Sequence, residues 1–331
     1  MRTAGPQQLP RRRPGGPGAR RGGVTSVAPR ALRHLWLGTL RYADAWALQQ
    51  RLAHARAAGD LDADCLLLLE HPPVYTMGRN GSPEHVPGGP ERLRALGADY
   101  LEVDRGGSVT FHGPGQLVAY PIVRLAEALP IPGHPGQGDV LRYVRALEEG
   151  MLAAAAAAGV AASLRPPFTG IWVGEEKLGA IGVKLARGVT QHGVAINVTT
   201  DLGWFAEVVA CGIPGAGVTS LERLGAEGWT PERLAPELAA GIASALGLAT
   251  EPADRRLVEL VSQTHQRTRI GGGCALNWHW QRASFRSIGA ISRNQPLVRV
   301  MRSNYHRGKT GACVRLQRSS GWTVSPRSEG A

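Results

Sequence analysis

Phe168-Thr-Gly-Ile-Trp-Val-Gly-Glu-Glu-Lys-Leu-Gly-Ala-Ile-Gly-Val-Lys-Leu-Ala-Arg-Gly-Val-Thr-Gln-His-Gly-Val-Ala-Ile-Asn-Val198 is the stretch on which the fold turns. It holds three β-rich runs in succession, Phe168 to Val173, Leu178 to Leu185 and Val189 to Val198. Strands clustered in this way, with helical segments kept apart from them, favour an α+β fold, a mixed sheet with flanking helices, over a regularly alternating doubly wound sheet.

The segments on either side supply those helices and further strands. Tyr42 to Gly59 reads as a helix with Leu48, Leu52 and Ala55 on one face. Cys65 to Glu70 is a short apolar run stopped by His71-Pro72-Pro73, which suits a buried strand. Pro90 to Leu96 reads as a short helix closed by Gly97, and Tyr100 to Asp104 and Leu117 to Val123 as strands separated by a Gly-rich loop. Asp139 caps a long helix in which Val140, Val144, Leu147 and Met151 recur at helical spacing before Gly159 ends it. In the last periodic segment, Thr230-Pro231 is the start signal and Leu234, Leu238, Ile242 and Leu246 are the stripe. Pro236 must kink this helix or mark its true beginning.

Charge divides the chain in three. The 331 residues carry a net +12 and are 43% hydrophobic, enough to bury a core. Residues 1–33 hold 8 Lys and Arg with no acid, and residues 250–331 hold 14 against 4 acids, so the middle is net negative. The Pro-, Gly- and Arg-rich residues 1–33 are expected to be a disordered basic extension, 34–250 the folded domain, and 251–331 a second basic extension of low order. A form running from about Leu35 to Glu251 is therefore expected to fold and work. The basic residues lie outside the folded part and no base-reading or stacking motif accompanies them, which argues against a nucleic-acid-binding protein.

No apolar segment follows the leader as a secretory signal would require, and its Pro and Gly content argues against a transit helix. Met151 to Leu164 is too short to span a bilayer. Cys65, Cys211, Cys274 and Cys313 are widely spaced without a CxxC pair, pointing to reduced thiols, no metal site and a cytoplasmic protein.

Three segments carry chemistry: Arg105-Gly-Gly-Ser-Val-Thr-Phe-His-Gly-Pro-Gly-Gln116, then Lys177-Leu-Gly-Ala-Ile-Gly-Val-Lys184 with His192-Gly-Val-Ala-Ile-Asn197, and Ala210-Cys-Gly-Ile-Pro-Gly215. Gly106 and Gly107 allow close backbone approach to a ligand, although glycine turns join strands in many proteins without a site. Cys211 followed by Gly212 stands in a loop where a thiol can be exposed; the bland alternative is a small buried hydrophobe. At pH 7 only about 3% of an ordinary thiol is ionised, so a nucleophilic cysteine needs a nearby cation or base. Lys177, in a Gly, Ala and Ile context with few other charges, is a candidate for that cation.

Together these segments resemble the lipoyl(octanoyl) transferase family, which moves an octanoyl group from acyl carrier protein to a lysine of a lipoyl domain. The resemblance runs from about Leu37 to Leu248, through EHPPVYTMGR at 70–79, RGGSVTFHGPGQLVAYP at 105–121, KLGAIGVK at 177–184, HGVAINV at 192–198 and CGIPGAGVTSL at 211–221. It implies that Cys211 is the acyl-thioester nucleophile and Lys177 the group that lowers its pKa. It implies substrate contacts at Arg105, Gly106, Gly107, Ser108, Val109, Thr110, Phe111 and His112, at Ala180, Ile181 and Gly182, and at Gly193, Val194 and Ala195. The fold it implies is that of lipoate and biotin protein ligases. Octanoyl-acyl carrier protein would be the donor, and lipoyl domains of 2-oxoacid dehydrogenases and the glycine cleavage H protein the acceptors. No cofactor or metal is implied, and a monomer is expected.

One departure is visible: where the family commonly has Pro before the nucleophile, this chain has Ala210. His112 and His192 are candidates for positioning or proton transfer, with packing against a glycine turn the alternative. Lys184 and Arg187 are candidates for a local patch facing acidic partners. The competing enzyme reading is an ATP-dependent lipoate or biotin ligase of the same fold, against which the Cys211 motif argues.

Overall fold

The computed structural model describes residues 30–209 and 217–253, together with Leu257 and Glu259 and the strand backbones at 279–282 and 299–302. The chain runs β1 (Ala31–Thr39), α1 (Tyr42–Ala58), β2 (Asp64–Glu70), β3 (Val74–Met77), α2 (Gly89–Ala95), β4 (Asp99–Glu102), β5 (Val109–His112), β6 (Gln116–Ile122), α3 (Leu125–Ala128) and α4 (Val140–Ala157). It continues through β7 (Ser163–Arg165), β8 (Phe168–Val173), β9 (Glu176–Ala186), β10 (Val189–Asn197), β11 (Gly217–Val218), α5 (Pro231–Ala245), β12 (Ala249–Pro252), β13 (His279–Arg282) and β14 (Arg299–Arg302).

The main sheet has the order β12-β1-β2-β6-β10-β9-β8-β7, with β11 added alongside β9. β1 is parallel to both neighbours, whereas β2, β6, β10, β9, β8 and β7 are successively antiparallel. This is the mixed sheet expected of an α+β fold. A second, three-stranded sheet has the order β4-β3-β5.

Alternation along β2 shows how both faces of the main sheet are covered. Leu66 and Leu68 enter the core built with α4 and α5, while Cys65, Leu67 and Leu69 enter the core built with α1. The helices α4 and α5 cross with their backbones in contact, because a Cβ on Gly150 would lie 2.8 Å from the Ile242 nitrogen and one on Gly241 2.7 Å from the Gly150 oxygen. The small sheet has its own core, where Tyr75, Val109 and Phe111 pack with Leu93, Phe205 and Val208.

Most expected elements stand where the sequence puts them. Asp139 caps α4 by accepting from the Arg142 amide at 2.9 Å, and Thr230 caps α5 by accepting from the Arg233 amide at 3.2 Å. Pro236 is tolerated inside α5 on its exposed face, so the helix does begin at Pro231. The stripe of α4 differs: Val140 is exposed, and the buried line runs through Tyr143, Ala146, Leu147, Gly150, Met151 and Ala154. Leu141, in the same first turn, is exposed as well. Two strands were hidden in loops, β3 behind His71-Pro72-Pro73 and β5 inside the Gly-rich segment.

Described elements lie on both sides of residues 34 and 250. β1 begins at Ala31 and pairs residue by residue with β12, from Ala31 opposite Ala249 to His34 opposite Pro252. Leu32 is fully buried, and the Arg30 side chain reaches Asp64, which also accepts from Arg56 Nε at 2.9 Å and from the Arg124 amide at 2.9 Å. Arg30 and Arg33 resemble the basic leader in composition yet belong to the sheet. At the other end Leu257 is fully buried against the α1 core, and β13 and β14 pair antiparallel within the segment expected to be of low order. Strands of four residues are too short to show a period. Residues 1–29 lie outside the described residues. Among the described residues no helix is long and apolar enough to cross a membrane.

A form spanning 35–251 loses all four residues of β1 that pair with β12, the burial of Leu32 and one partner of buried Asp64. These losses amount to about 5 kcal/mol. It is expected to melt about 10–20 °C below a form spanning 30–259. Calorimetry of the two side by side checks this; equal melting temperatures would show that the β1–β12 edge adds nothing to stability.

Candidate active site

The site begins with small residues facing one another. In the β9–β10 ladder Ala180 stands opposite Ala195, Ile181 opposite Val194 and Gly182 opposite Gly193. A Cβ on Gly182 would lie 2.8 Å from Arg105 Cδ, and one on Gly193 would strike the Ala119 carbonyl of β6. The space left at Gly182 lets the segment before β5 settle over the main sheet. Arg105 is almost wholly buried there, donating from Nη2 to the Thr76 carbonyl at 2.7 Å and hydroxyl at 2.8 Å, and from Nη1 to the Gly106 carbonyl at 3.0 Å.

Between the two layers lies a cavity of about 380 Å³, within the roughly 300–1,000 Å³ usual for small-molecule sites. Of the residues expected at the site, Arg105, Gly107, Ser108, Val109, Thr110, His112, Lys177, Ala180, Ile181, Gly182, Gly193, Val194 and Ala195 line it. Two do not. Phe111 points the other way along β5, into the small-sheet core, where it stacks on Trp204 with centroids 5.3 Å apart. Gly106 ties the loop to the sheet through its amide, which donates to the Val183 carbonyl at 2.9 Å.

The floor of the cavity is built of imidazoles and phenols. His192 adopts a left-handed backbone with φ of 56°, interrupting the alternation of β10. Its ring lies between Asp104, 3.0 Å from Nε2, and the Tyr42 hydroxyl, 3.2 Å from Nδ1. Burial pushes the Asp104 carboxyl up, but hydrogen bonds from Lys184 and His192 outweigh this and hold it below the usual range. An ionised Asp104 fixes the proton on Nε2, so Nδ1 accepts from Tyr42. Behind the floor, His71, which does not line the cavity, donates from Nδ1 to the Leu40 carbonyl at 2.6 Å and accepts the Tyr120 hydroxyl at Nε2, 2.7 Å away. His112 donates from Nδ1 to Gln116 Oε1 at 2.7 Å, and Gln116 in turn donates to Asn197 Oδ1 at 2.9 Å. Asn197 then donates to the Thr219 carbonyl at 2.9 Å, and the Thr219 amide to the Lys177 carbonyl at 3.0 Å.

Burial drives all three imidazoles toward neutrality. His71 and His192 are lowered to about 4, and His112 falls well below its ordinary value, first by desolvation and then through His71 and Arg105. Tyr42 is pushed up to about 12, chiefly by burial. The floor is therefore uncharged at neutral pH, leaving Arg105 and Lys177 as the cations of the cavity wall.

Lys177 is 8% exposed, and its Nζ stands 4.7 Å from the centroid of the Trp172 ring. β11 runs parallel to β9 with Gly217 opposite Glu176 and Val218 opposite Lys177. On the other side the Val209 amide donates to the His85 carbonyl at 2.9 Å, and the His85 ring meets the Ser108 hydroxyl at 2.6 Å. Cys211, with Ala210 before it, lies outside the described residues, as do Cys274 and Cys313. Cys65 is fully buried and its thiol is pushed far up by desolvation, so it is no nucleophile. Among the described residues no cluster of three or more His, Cys, Asp or Glu could hold a metal.

The sequence reading missed Tyr42, Asp104, Tyr120, Phe168 and Thr169. Asp104 and Tyr120 flank or belong to a segment already singled out, so an acid and a phenol beside a glycine motif were available signals. Tyr42 carried none, because its partner His192 is 150 residues away. Lys184, expected in a patch for acidic partners, is instead paired with Asp104.

A mixed main sheet with flanking helices, and a small second sheet across a cavity from it, is the fold of lipoate protein ligases. It superposes on a putative lipoate protein ligase from T. acidophilum with a TM-score of 0.51, at 17% identity, covering 72% of this chain and 95% of that one. Residues 41–243 match the lipoyl protein ligase A/B catalytic domain family, and the chain belongs to that family. It is 49% identical over 188 residues to an octanoyltransferase of Rubrobacter xylanophilus, covering 56% of this chain and 80% of that protein. It is 40% identical over 255 residues to one of Rhodococcus opacus, covering 73% and 92%.

The neutral floor sets a pH dependence. The folded His112 holds its proton less tightly than the unfolded residue, whose pKa is about 6.5, so its contribution is full above that value and is lost as pH falls. Wild-type stability is expected to fall about 1.4 kcal/mol more per pH unit between pH 6 and 5 than that of His112→Gln. Urea unfolding at both pH values measures it. Parallel profiles would mean that His112 titrates freely in the fold.

Proposed function

We propose that this chain is an octanoyltransferase that carries the acyl group on Cys211 and uses Lys177 to favour the thiolate. The donor is octanoyl-acyl carrier protein and the acceptor a lysine of a lipoyl domain, in 2-oxoacid dehydrogenases or the glycine cleavage H protein. The enzyme acts as a monomer in the cytoplasm. Support comes first from one observation: Lys177 is nearly buried in the cavity wall, and Gly217, only six residues after Cys211, pairs beside it. Six residues of chain span at most about 20 Å, a reach compatible with a thiol that meets that ammonium.

The chemistry runs in two halves. The Cys211 thiolate attacks the carbonyl of the donor thioester, and the carrier thiolate leaves and takes a proton. The neutral amine of the acceptor lysine then attacks the enzyme thioester, loses a proton, and the Cys211 thiolate leaves as the amide forms. Thioester exchange is nearly thermoneutral and aminolysis runs downhill, so the sequence requires no nucleotide. A Lys177 ammonium beside the sulfur stabilises the anion in both halves and can pass on the proton of the incoming amine. Val109, Val118, Ile181 and Val194 offer apolar cavity wall to the chain, whose six methylenes contribute about 5 kcal/mol when buried.

Mixed with octanoyl-acyl carrier protein and no acceptor, the protein is expected to gain one octanoyl mass, labile to hydroxylamine, on the peptide containing Cys211. A lipoyl domain should discharge it, and Cys211→Ser should lower turnover at least about a hundredfold, a serine hydroxyl being far less acidic. Intact and peptide mass spectrometry read the adduct. Near-normal transfer by Cys211→Ala would sink the covalent mechanism, and a strict requirement for ATP and free acid would favour a ligase.

A further inference from the structure

We propose that Trp172 is the positioning residue of this site, holding the Lys177 ammonium against its ring so that the cation stays at the cavity wall. The inference rests on the role given to Lys177 above and adds what keeps it in place. Lys177 stands in β9 opposite Trp172 of β8, where the register of the two strands shifts, and its Nζ comes 4.7 Å from the indole centroid. At that distance the negative face of the ring attracts a cation, and more strongly in a site shielded from water.

The indole is not explained by packing. Trp172 is fully buried, and its Nε1–H has no hydrogen-bond partner among the described residues. A buried donor left without a partner is a cost that Phe, Leu or Met at this position would avoid. What the indole alone provides is the strongest ring face for a cation. The ring also meets Arg165, whose guanidinium carbon is 5.3 Å from the centroid, but that cation is matched by Glu175 at 2.9 Å on the surface. Of the other charges nearby, Glu176 pairs with Arg223 at 3.2 Å and Arg105 is committed to backbone carbonyls. Lys177 is therefore the cation that Trp172 serves.

The consequence is mechanical. A lysine side chain has four rotatable carbons and in a cavity of this size can occupy many positions; a ring beneath its nitrogen selects one. Without it the thiolate would meet an ammonium only part of the time.

The test is a double-mutant cycle read by the alkylation rate of Cys211 with iodoacetamide across pH, in the full-length protein. Trp172→Met is expected to slow alkylation at pH 7 about 3- to 30-fold, the range of a shielded cation–π contact, with the rates converging by pH 9. Trp172→Phe, which keeps a ring, should stay within about threefold of wild type. In a Lys177→Ala background Trp172→Met should change nothing further, because it acts through the lysine. Equal slowing in both backgrounds would show a merely structural role and overturn the proposal. A normal titration in Trp172→Met with a shifted one in Lys177→Ala would overturn the role of Trp172 alone, whereas an unshifted Lys177→Ala would remove the reading of Lys177 itself. Should Trp172→Met fail to fold, phenylalanine and pentafluorophenylalanine at position 172 share one shape and differ in the charge of the ring face. The fluorinated form should be the slower at pH 7, and equal rates would overturn the proposal.

Discussion

The absence of a side chain at Gly182 is the constraint on which the cavity depends. The stem of Arg105 lies where a Cβ of Gly182 would be, while Gly193, opposite it in β10, lets that strand pack against the Ala119 carbonyl of β6. Arg105 then gives its donors to Thr76 of β3 and to Gly106, and so fixes the small sheet over the large one. Gly78 completes the junction, since a Cβ there would strike the Gly107 carbonyl. A larger residue at Gly182 or Gly78 would push the layers apart and displace the wall formed by Ser108 to Thr110. The glycines that look like loop punctuation in the sequence thus act as the seat of a buried guanidinium.

Beneath that junction the protein keeps polar groups buried without leaving charge behind. His112 and His192 of the floor, and His71 behind Tyr120, each have one nitrogen committed as a donor, to Gln116, Asp104 and Leu40 respectively, which fixes the tautomer. The single carboxylate of the group, Asp104, is matched by Lys184 as well as by His192. A floor arranged in this way can lie against an uncharged acyl chain without the cost of an unpaired ion, while still offering nitrogen and hydroxyl groups near a reacting carbonyl.

How far the sequence could be read follows from where the information lay. The strands β9 and β10, the caps at Asp139 and Thr230 and the apolar run of β2 are local signals, and each is where the pattern puts it. β1 was illegible because all its residues but Leu32 are only partly buried or exposed, so no alternation shows, and its first residues share the basic composition of the leader. β3 and β5 have four residues each, too few for alternation to show against the prolines and glycines around them. In the site, the glycine motifs marked the cavity but not its floor: Tyr42 opens a helix, and nothing in its neighbourhood announces a contact with His192. Phe111 shows the opposite error, since membership of a motif does not decide which side of a strand a side chain takes.

The two cations of the cavity illustrate why residue type and surroundings must be read together. Arg105 spends donors on the carbonyls of Thr76 and Gly106, so its charge is held by the scaffold and its place cannot change without separating two sheets. Lys177 meets a ring face, a contact that fixes the nitrogen but consumes none of its three N–H donors. A cation held by hydrogen bonds is a structural part; one held by a π surface keeps its donors for whatever enters the cavity. Of the two, Lys177 is thus the one with donors left for an incoming group, and its replacement by arginine would not be conservative, because a planar fork seeks carbonyl and carboxylate partners of its own.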